Sequence, residues 1–334
     1  MYYSESIEEI FTKREKVEVT YFLEKFGLQY GDVEDTIVIR DNNQIIATCS
    51  RAQNVLKCFA IAEEYQGLGL TNTLISHMTQ KLYAEGIYHH FIFTKPDNVE
   101  IFASLGYRHI SSTSKVALLE IGNNSIVSAL DQLKDDYHID TSKEYAAIVM
   151  NCNPFTLGHK YLIEQASLEN ENVIVFIVEE DKSAFKFRDR IELVRQGVKE
   201  FGNVVVLPAS KYIISQATFP TYFIKQNDDA TAIYTELDCS IFGKYFVNAL
   251  NIKKRYVGNE PNCNLTSSYN DTMKKVLPSY GIDVRVVNRK EINATPISAT
   301  EVRKLLDQHE FEKIKALVPN TTYNFLLADM KISA

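Results

Sequence analysis

Two short motifs, each placed where an apolar run hands over to an amphipathic segment, constrain this chain more than any other feature. The first is Thr156, Leu157, Gly158, His159, directly after the apolar run Tyr145–Met150 and the turn at 151–154. The second is Ile297, Ser298, Ala299, Thr300, Glu301, Val302, Arg303, which opens a segment of helical apolar period. Both set glycine, hydroxyl or basic residues at a strand-to-helix junction, where unpaired backbone N–H groups and the helix dipole favour bound phosphate. Each alone also suits a plain helix start, with Ser298 and Thr300 as capping hydroxyls and His159 as a first-turn residue. Together and in this order, they predict a fold that brings two helix N-termini to one polyphosphate.

Around the motifs, apolar runs alternate with amphipathic stretches. The strands expected in the second half are 145–150, 173–178, 204–207, 230–234, 255–257 and 283–287, with helices between them. Runs without polar alternation belong to a parallel sheet covered on both faces. Ligands of such a sheet sit beyond the carboxyl ends of its strands, at the point where strand order reverses. In the first half, 37–40 and 44–49 flank Asp41, Asn42 and Asn43 and predict a hairpin, with 56–61 as a third strand. Gln66, Gly67, Leu68 and Gly69 then lead into Leu70, Leu74, Met78 and Leu82, the i, i+4 stripe of a buried helix face, and 90–94 is the next strand. The sequence turns polar between Gly122 and Ser142, where 126–133 reads as a connecting helix. The expected organisation is a front domain at 1–125, a connecting segment at 126–144 and a second domain at 145–334.

Composition narrows the class. With 45% hydrophobic and 24% charged residues, the chain is globular, not disordered. No apolar run approaches a membrane span and the first residues are too polar for a secretory signal, so no membrane partner is expected and the cytoplasm is the expected compartment. A net charge of −7 argues against a nucleic-acid partner, which needs a basic face. Five cysteines without a C-x-x-C pair indicate neither a disulfide framework nor a zinc knuckle, no metal-ligating residue is singled out, and Cys152 reads as a packing residue at a strand end. Lys182, Lys186, Arg188, Arg190 and Arg195 form a cationic run of the kind that usually lies in solvent, although this one falls near the expected phosphate site.

The pattern T-x-G-H followed by I-S-x-T-x-x-R resembles the nucleotidyltransferase superfamily, adenylyl-transferring enzymes on a Rossmann-like α/β sheet. The resemblance implies that Thr156 and His159 contact the nucleotide phosphates, while Ser298, Thr300 and Arg303 hold the far end of the triphosphate. The stretch at 179–194 is similar to the segment after the second strand in these enzymes and makes Lys182 a further phosphate candidate. In the front half, the strand, the loop Gln66, Gly67, Gly69, the helix and Phe102, Leu105, Gly106, Tyr107 resemble the GNAT-type α/β acyltransferase fold, a mixed sheet. That likeness implies a loop whose backbone N–H groups hold the pyrophosphate of a coenzyme-A-like group, with Thr71 adding bulk at the last small position.

This domain order, with Gln216, Ala217, Thr218, Phe219, Pro220, Thr221, Tyr222, Phe223 and with Arg255, Tyr256, Val257, Gly258, Asn259, Glu260, Pro261, is similar to the citrate lyase ligase family over nearly the whole chain. The resemblance implies an acid-thiol ligase that uses ATP, Mg2+ and acetate. Its product is the acetylated prosthetic-group thiol of the citrate lyase acyl carrier protein, the gamma subunit, reached through acetyl-adenylate. Asn153, Phe155, Gly158, Gly258 and Glu260 are the further nucleotide-binding candidates. An acidic residue is more usual in the family where Asn259 stands, which makes Glu260 the candidate carboxylate. Acetate is ionised at neutral pH, so its attack on the α-phosphorus requires alignment and charge neutralisation but no general base. Two other readings of the same motifs are an adenylyltransferase acting on phosphopantetheine or nicotinamide mononucleotide, and a nucleotide-binding protein without turnover.

Overall fold

The computed structural model describes residues 6–31, 33–179, 183–213, 230–259, 264–293 and 295–333. The chain divides into two compact units, one of residues 1–126 with 219–233 and one of 127–218 with 234–334.

The first unit is a 7-stranded mixed sheet in the order β1-β2-β3-β4-β5-β7-β6. Its strands are β1 (Ser6–Glu9), β2 (Asp35–Asp41), β3 (Gln44–Ala52), β4 (Val55–Ile61), β5 (His89–Thr94), β6 (Arg108–Ser112) and β7 (Ala117–Gly122). Helix α1 (Lys13–Glu24) starts on a capping box, Thr12 accepting from the Glu15 N–H while Glu15 returns to the Thr12 N–H. The expected hairpin joins β2 to β3, and both turn residues, Asn42 and Asn43, have positive φ, the conformation a two-residue turn between right-twisted strands demands. All neighbours run antiparallel except β4 and β5, whose parallel pairing is confined to Val55 with Phe91 and Leu56 with Ile92. Beyond β4 lies the glycine loop, then α2 (Leu70–Ala84), whose Leu70, Leu74, Met78 and Leu82 are all buried against the sheet. Helix α3 (Val99–Ser104) closes the unit's core with Phe102 and Tyr107.

The second unit begins with the amphipathic α4 (Ile126–Asp136), which buries Leu130 and Leu133. Its sheet consists of β8 (Tyr145–Met150), β9 (Val173–Ile177), β10 (Val204–Pro208), β11 (Ile252–Gly258) and β12 (Asp283–Val287). Every pair is parallel and the order is β10-β9-β8-β11-β12. The reversal lies between β8 and β11, so the switch point is at their carboxyl ends, after Met150 and Gly258. One face of the sheet, with Ile148, Met150, Val175 and Tyr256, packs on Ile163 and Ala166 of α5 (Leu157–Glu169) and on Ile191 and Val194 of α6 (Phe187–Gly197).

Residues 230–234, expected as a strand, instead open helix α7 (Ala230–Ile241). A short apolar run is ambiguous between strand and buried helix, and the next turns decide. Ile233, Leu237 and Ile241 recur at four-residue spacing and are buried, a stripe that 230–234 alone is too short to display. The helix continues through a π-helical turn at Phe242–Phe246 into α8 (Val247–Leu250). Phe242 and Phe246 meet Phe176 of β9 edge-on, covering the other face of the sheet. After α9 (Asn264–Val276) and β12, a short ribbon of β13 (Glu291–Ile292) and β14 (Thr295–Pro296) delivers the chain to α10 (Ala299–Asp307). Val302, Leu305, Ile314, Val318 and Leu326 then cluster α10 with α11 (Phe311–Lys315) and α12 (Asn320–Ser333).

Candidate active site

Helix α5 starts one turn beyond the carboxyl end of β8, with Thr156 as its N-cap in extended backbone conformation. The Thr156 hydroxyl accepts the His159 N–H at 3.3 Å, and His159 Nδ1 accepts the Thr156 N–H at 3.1 Å. The Thr156 Oγ1 also lies 3.0 Å from Nδ1. A ring nitrogen that accepts a backbone N–H carries no proton, so in the neutral imidazole the hydrogen sits on Nε2. Burial, and then the nearby Arg289 guanidinium, push His159 down to about 4, so the ring is neutral at physiological pH. Its chemistry is that of a fixed, uncharged N–H donor.

Helix α10 repeats the device. Ser298 is its N-cap and its Oγ accepts the Glu301 N–H at 3.1 Å. The two motifs touch: a Cβ added to Gly158 would stand 3.2 Å from the Ile297 carbonyl oxygen and 3.5 Å from the Ile297 Cβ. Arg303 donates from Nη1 to the Asn153 carbonyl and from Nη2 to Thr300 Oγ1, the latter at 3.1 Å. Two helix N-termini, an imidazole N–H, the hydroxyls of Thr156, Ser298 and Thr300 and a guanidinium thus gather past the carboxyl end of β8, a set of donors suited to a polyphosphate.

Behind this rim the loop after β8 is wired to α6 by Arg190. Its side chain is fully buried, donating from Nη1 to the Asn151 and Val178 carbonyls at 2.7 and 2.9 Å and from Nε to the Phe185 carbonyl at 3.0 Å. Asn153 Oδ1 accepts the Phe185 N–H at 3.1 Å, tying the same two segments. Phe155 lies in the core, where it stacks on the His159 ring at 6.1 Å between centroids and fills the space left by Gly197. Its side chain therefore backs the imidazole and does not line the rim. Cys152 is buried, and burial pushes its thiol up, away from nucleophilic form.

Gly258 ends β11 at the switch point, its carbonyl accepting from Asn270 at 2.9 Å. Asn259 Oδ1 accepts the Arg289 N–H at 2.9 Å, and the Arg289 side chain lies over Gly258. Lys182, Glu260 and 216–223 lie outside the described residues. In the first unit, Gly67 and Gly69 have φ of 78° and 81° and open space where a Cβ would stand, and Gln66 folds back toward the Ile61 carbonyl at 3.4 Å. The buried role of Arg190 behind the rim goes unread in the sequence, because its run resembles solvated charge, and so does Arg289, whose one available signal is a basic residue two places past the carboxyl end of the last strand of a parallel sheet.

Residues 145–326 match the citrate lyase ligase C-terminal domain family. The chain is 36% identical to a [citrate [pro-3S]-lyase] ligase of Klebsiella pneumoniae, covering 89% of this chain and 88% of that one. It is 35% identical to the Escherichia coli enzyme of the same name, covering 94% and 90%, and 35% identical to that of Haemophilus influenzae, covering 96% and 97%. Among solved structures, a GNAT-family acetyltransferase of Staphylococcus aureus is similar over 36% of this chain and 100% of that one, at 12% identity and a TM-score of 0.31. An acetyltransferase of Streptococcus agalactiae is similar over 35% and 98%, at 10% identity and a TM-score of 0.31.

Proposed function

Since the chain belongs to the citrate lyase ligase family, we propose that it acetylates the prosthetic-group thiol of the citrate lyase acyl carrier protein, using acetate and ATP. An acetate oxygen attacks the α-phosphorus, the bond to the β-phosphate oxygen breaks, and pyrophosphate leaves with its electron pair. The thiolate then attacks the acetyl carbonyl and AMP departs. The observation that carries the adenylation half is the junction of the two motifs, Gly158 against Ile297 and Arg303 on the Asn153 carbonyl.

In this reading His159 donates Nε2–H to the α-phosphate as charge builds there, while Ser298, Thr300 and Arg303 receive the β and γ groups. The neutral imidazole suits the role, because a donor that does not titrate near neutrality stays in place through the reaction. Arg289 adds positive charge from the β12 side. Among the described residues no three or more His, Cys, Asp or Glu side chains are grouped to hold a metal. Mg2+ would therefore enter on the triphosphate, held by phosphate oxygens and water as a hard cation prefers, and would neutralise the leaving pyrophosphate. Residues 145–334 supply the adenylating domain and 1–125 the front domain, whose exposed loop at Gln66, Gly67 and Gly69 suits the phosphates of a coenzyme-A-like prosthetic group.

Pyrophosphate release from ATP, measured with acetate, nicotinamide mononucleotide and phosphopantetheine in turn, tests the reading. Release with acetate alone is expected. Release with either phosphorylated precursor and none with acetate would make the chain an adenylyltransferase, and ATP binding without release would remove the enzyme altogether.

A further inference from the structure

Arg255 is 4% exposed, yet its Nε has no hydrogen-bond partner and its guanidinium forms no ion pair among the described residues. It projects from β11 on the face opposite Tyr256, since successive side chains alternate across a strand. There its guanidinium carbon stands 4.3 Å from the centre of the Phe242 ring, at the π-helical turn that follows α7. A buried arginine whose Nε finds no acceptor is costly unless an anion completes it. The surroundings are polar on one side only. Asp238 is 4% exposed and accepts the Tyr269 hydroxyl at 2.6 Å, and Cys239 is 2% exposed beside it. Both Cys239 and Tyr269 are pushed up by burial first and by Asp238 next, while Arg255 pulls them the other way, so the guanidinium lies within electrostatic reach of both.

The position suits one class of anion. Arg255 stands three residues before Gly258, about 10 Å below the carboxyl end of β11 at ~3.3 Å per residue. The guanidinium stands beside Phe242, which also meets Phe176 one residue from the carboxyl end of β9, so it lies on the sheet face that leads up to the switch point. A triphosphate would bring several negative charges to a neighbourhood that already holds the buried Asp238. A small monocarboxylate brings one charge and little bulk.

We propose that Arg255 anchors the carboxylate of the acid substrate, holding one oxygen while the other faces the α-phosphorus. The assignment rests on the acetate-activating reading above and supplies its acid-binding residue. Because the carboxylate loses its charge when it becomes the mixed anhydride, the grip is a ground-state interaction and weakens as the product forms. It should therefore appear in the KM for acetate far more than in kcat.

The test uses the full chain with Arg255→Met and Arg255→Lys, varying acetate and ATP separately in the pyrophosphate assay and following acetate binding by 13C-acetate NMR. Arg255→Met is expected to raise the KM for acetate about 10- to 100-fold, to leave that for ATP within about 2-fold, and to keep or raise the melting temperature. Arg255→Lys should recover part of the acetate affinity. An unchanged acetate KM, an equal rise in both KM values, or loss of the fold in Arg255→Met would overturn the assignment, the last by making the Phe242 contact structural. A wild-type chain that binds acetate through Arg255 but releases no pyrophosphate would sink the ligase reading and leave the anchor standing. One that binds no acetate would end both.

Discussion

Replacing His159 in two ways separates its donor role from its titration. Glutamine places an amide N–H close to where Nε2–H stands and cannot ionise, whereas alanine removes the donor. Loss of one preorganised donor to a developing oxyanion costs on the order of 100- to 1,000-fold in kcat. His159→Ala should show that loss in acetyl-adenylate formation, trapped with hydroxylamine, with little change in the KM for ATP. His159→Gln should keep most of the activity. The same ring makes a thermodynamic prediction. Its pKa falls from an ordinary 6.5 to about 4 in the fold, which at 1.36 kcal/mol per unit is about 3 kcal/mol at most. The sign follows from which state binds the proton. Above pH 6.5 both states are neutral and nothing is lost. Between 6.5 and 4 the unfolded chain takes a proton that the folded chain refuses, so stability falls with pH and levels off below 4. Urea denaturation at pH 7.5 and 4.5 should therefore show wild type losing about 2 to 3 kcal/mol more than His159→Gln. A kcat profile with an inflection near 6.5 that vanishes in His159→Gln would make the ring an ordinary titrating base and remove the fixed-donor role. Near-normal adenylation by His159→Ala would remove it equally.

Other substitutions probe the scaffold. Gly158→Val sets branched carbons against the Ile297 carbonyl at about the 3.2 Å where a Cβ would stand, so adenylation should fall at least ~10-fold with the circular dichroism unchanged. Arg190→Met strips partners from the Asn151, Val178 and Phe185 carbonyls and should lower stability by roughly 3 to 5 kcal/mol in chemical denaturation. Gly69→Val forces a branched residue to a φ of 81° and should leave acetyl-adenylate formation intact while slowing transfer to the carrier thiol; equal rates in both steps would detach the front loop from the reaction.

Local chemistry explains what could be read in advance. The Asn42–Asn43 turn, the Leu70 to Leu82 stripe and the uninterrupted apolar runs of β8 and β9 each depend on neighbours in sequence, and each formed as expected. So did the cap at Ser298, whose hydroxyl satisfies the Glu301 N–H, whereas Thr300 lies inside α10 and the cap of α5 at Thr156 goes unread in the sequence. What failed depends on distant partners. Residues 230–234 carry the same β-branched and aromatic content as a strand, and the buried stripe of Ile233, Leu237 and Ile241 that makes them the first turn of a helix is completed only by residues beyond them. Arg190 looks like solvated charge because nothing in its own segment announces the three carbonyls that enclose it. Arg255 follows Lys253 and Lys254 in a run of positive charge, and only its place in the sheet turns it inward.

If one ATP spans both motifs, a crystal structure with a non-hydrolysable ATP analogue will show a single triphosphate with its α-phosphate in hydrogen-bond reach of His159 Nε2 and its terminal phosphates on Ser298, Thr300 and Arg303. A nucleotide whose phosphates meet one motif and leave the other in solvent would mean that the two helix starts do not share a ligand.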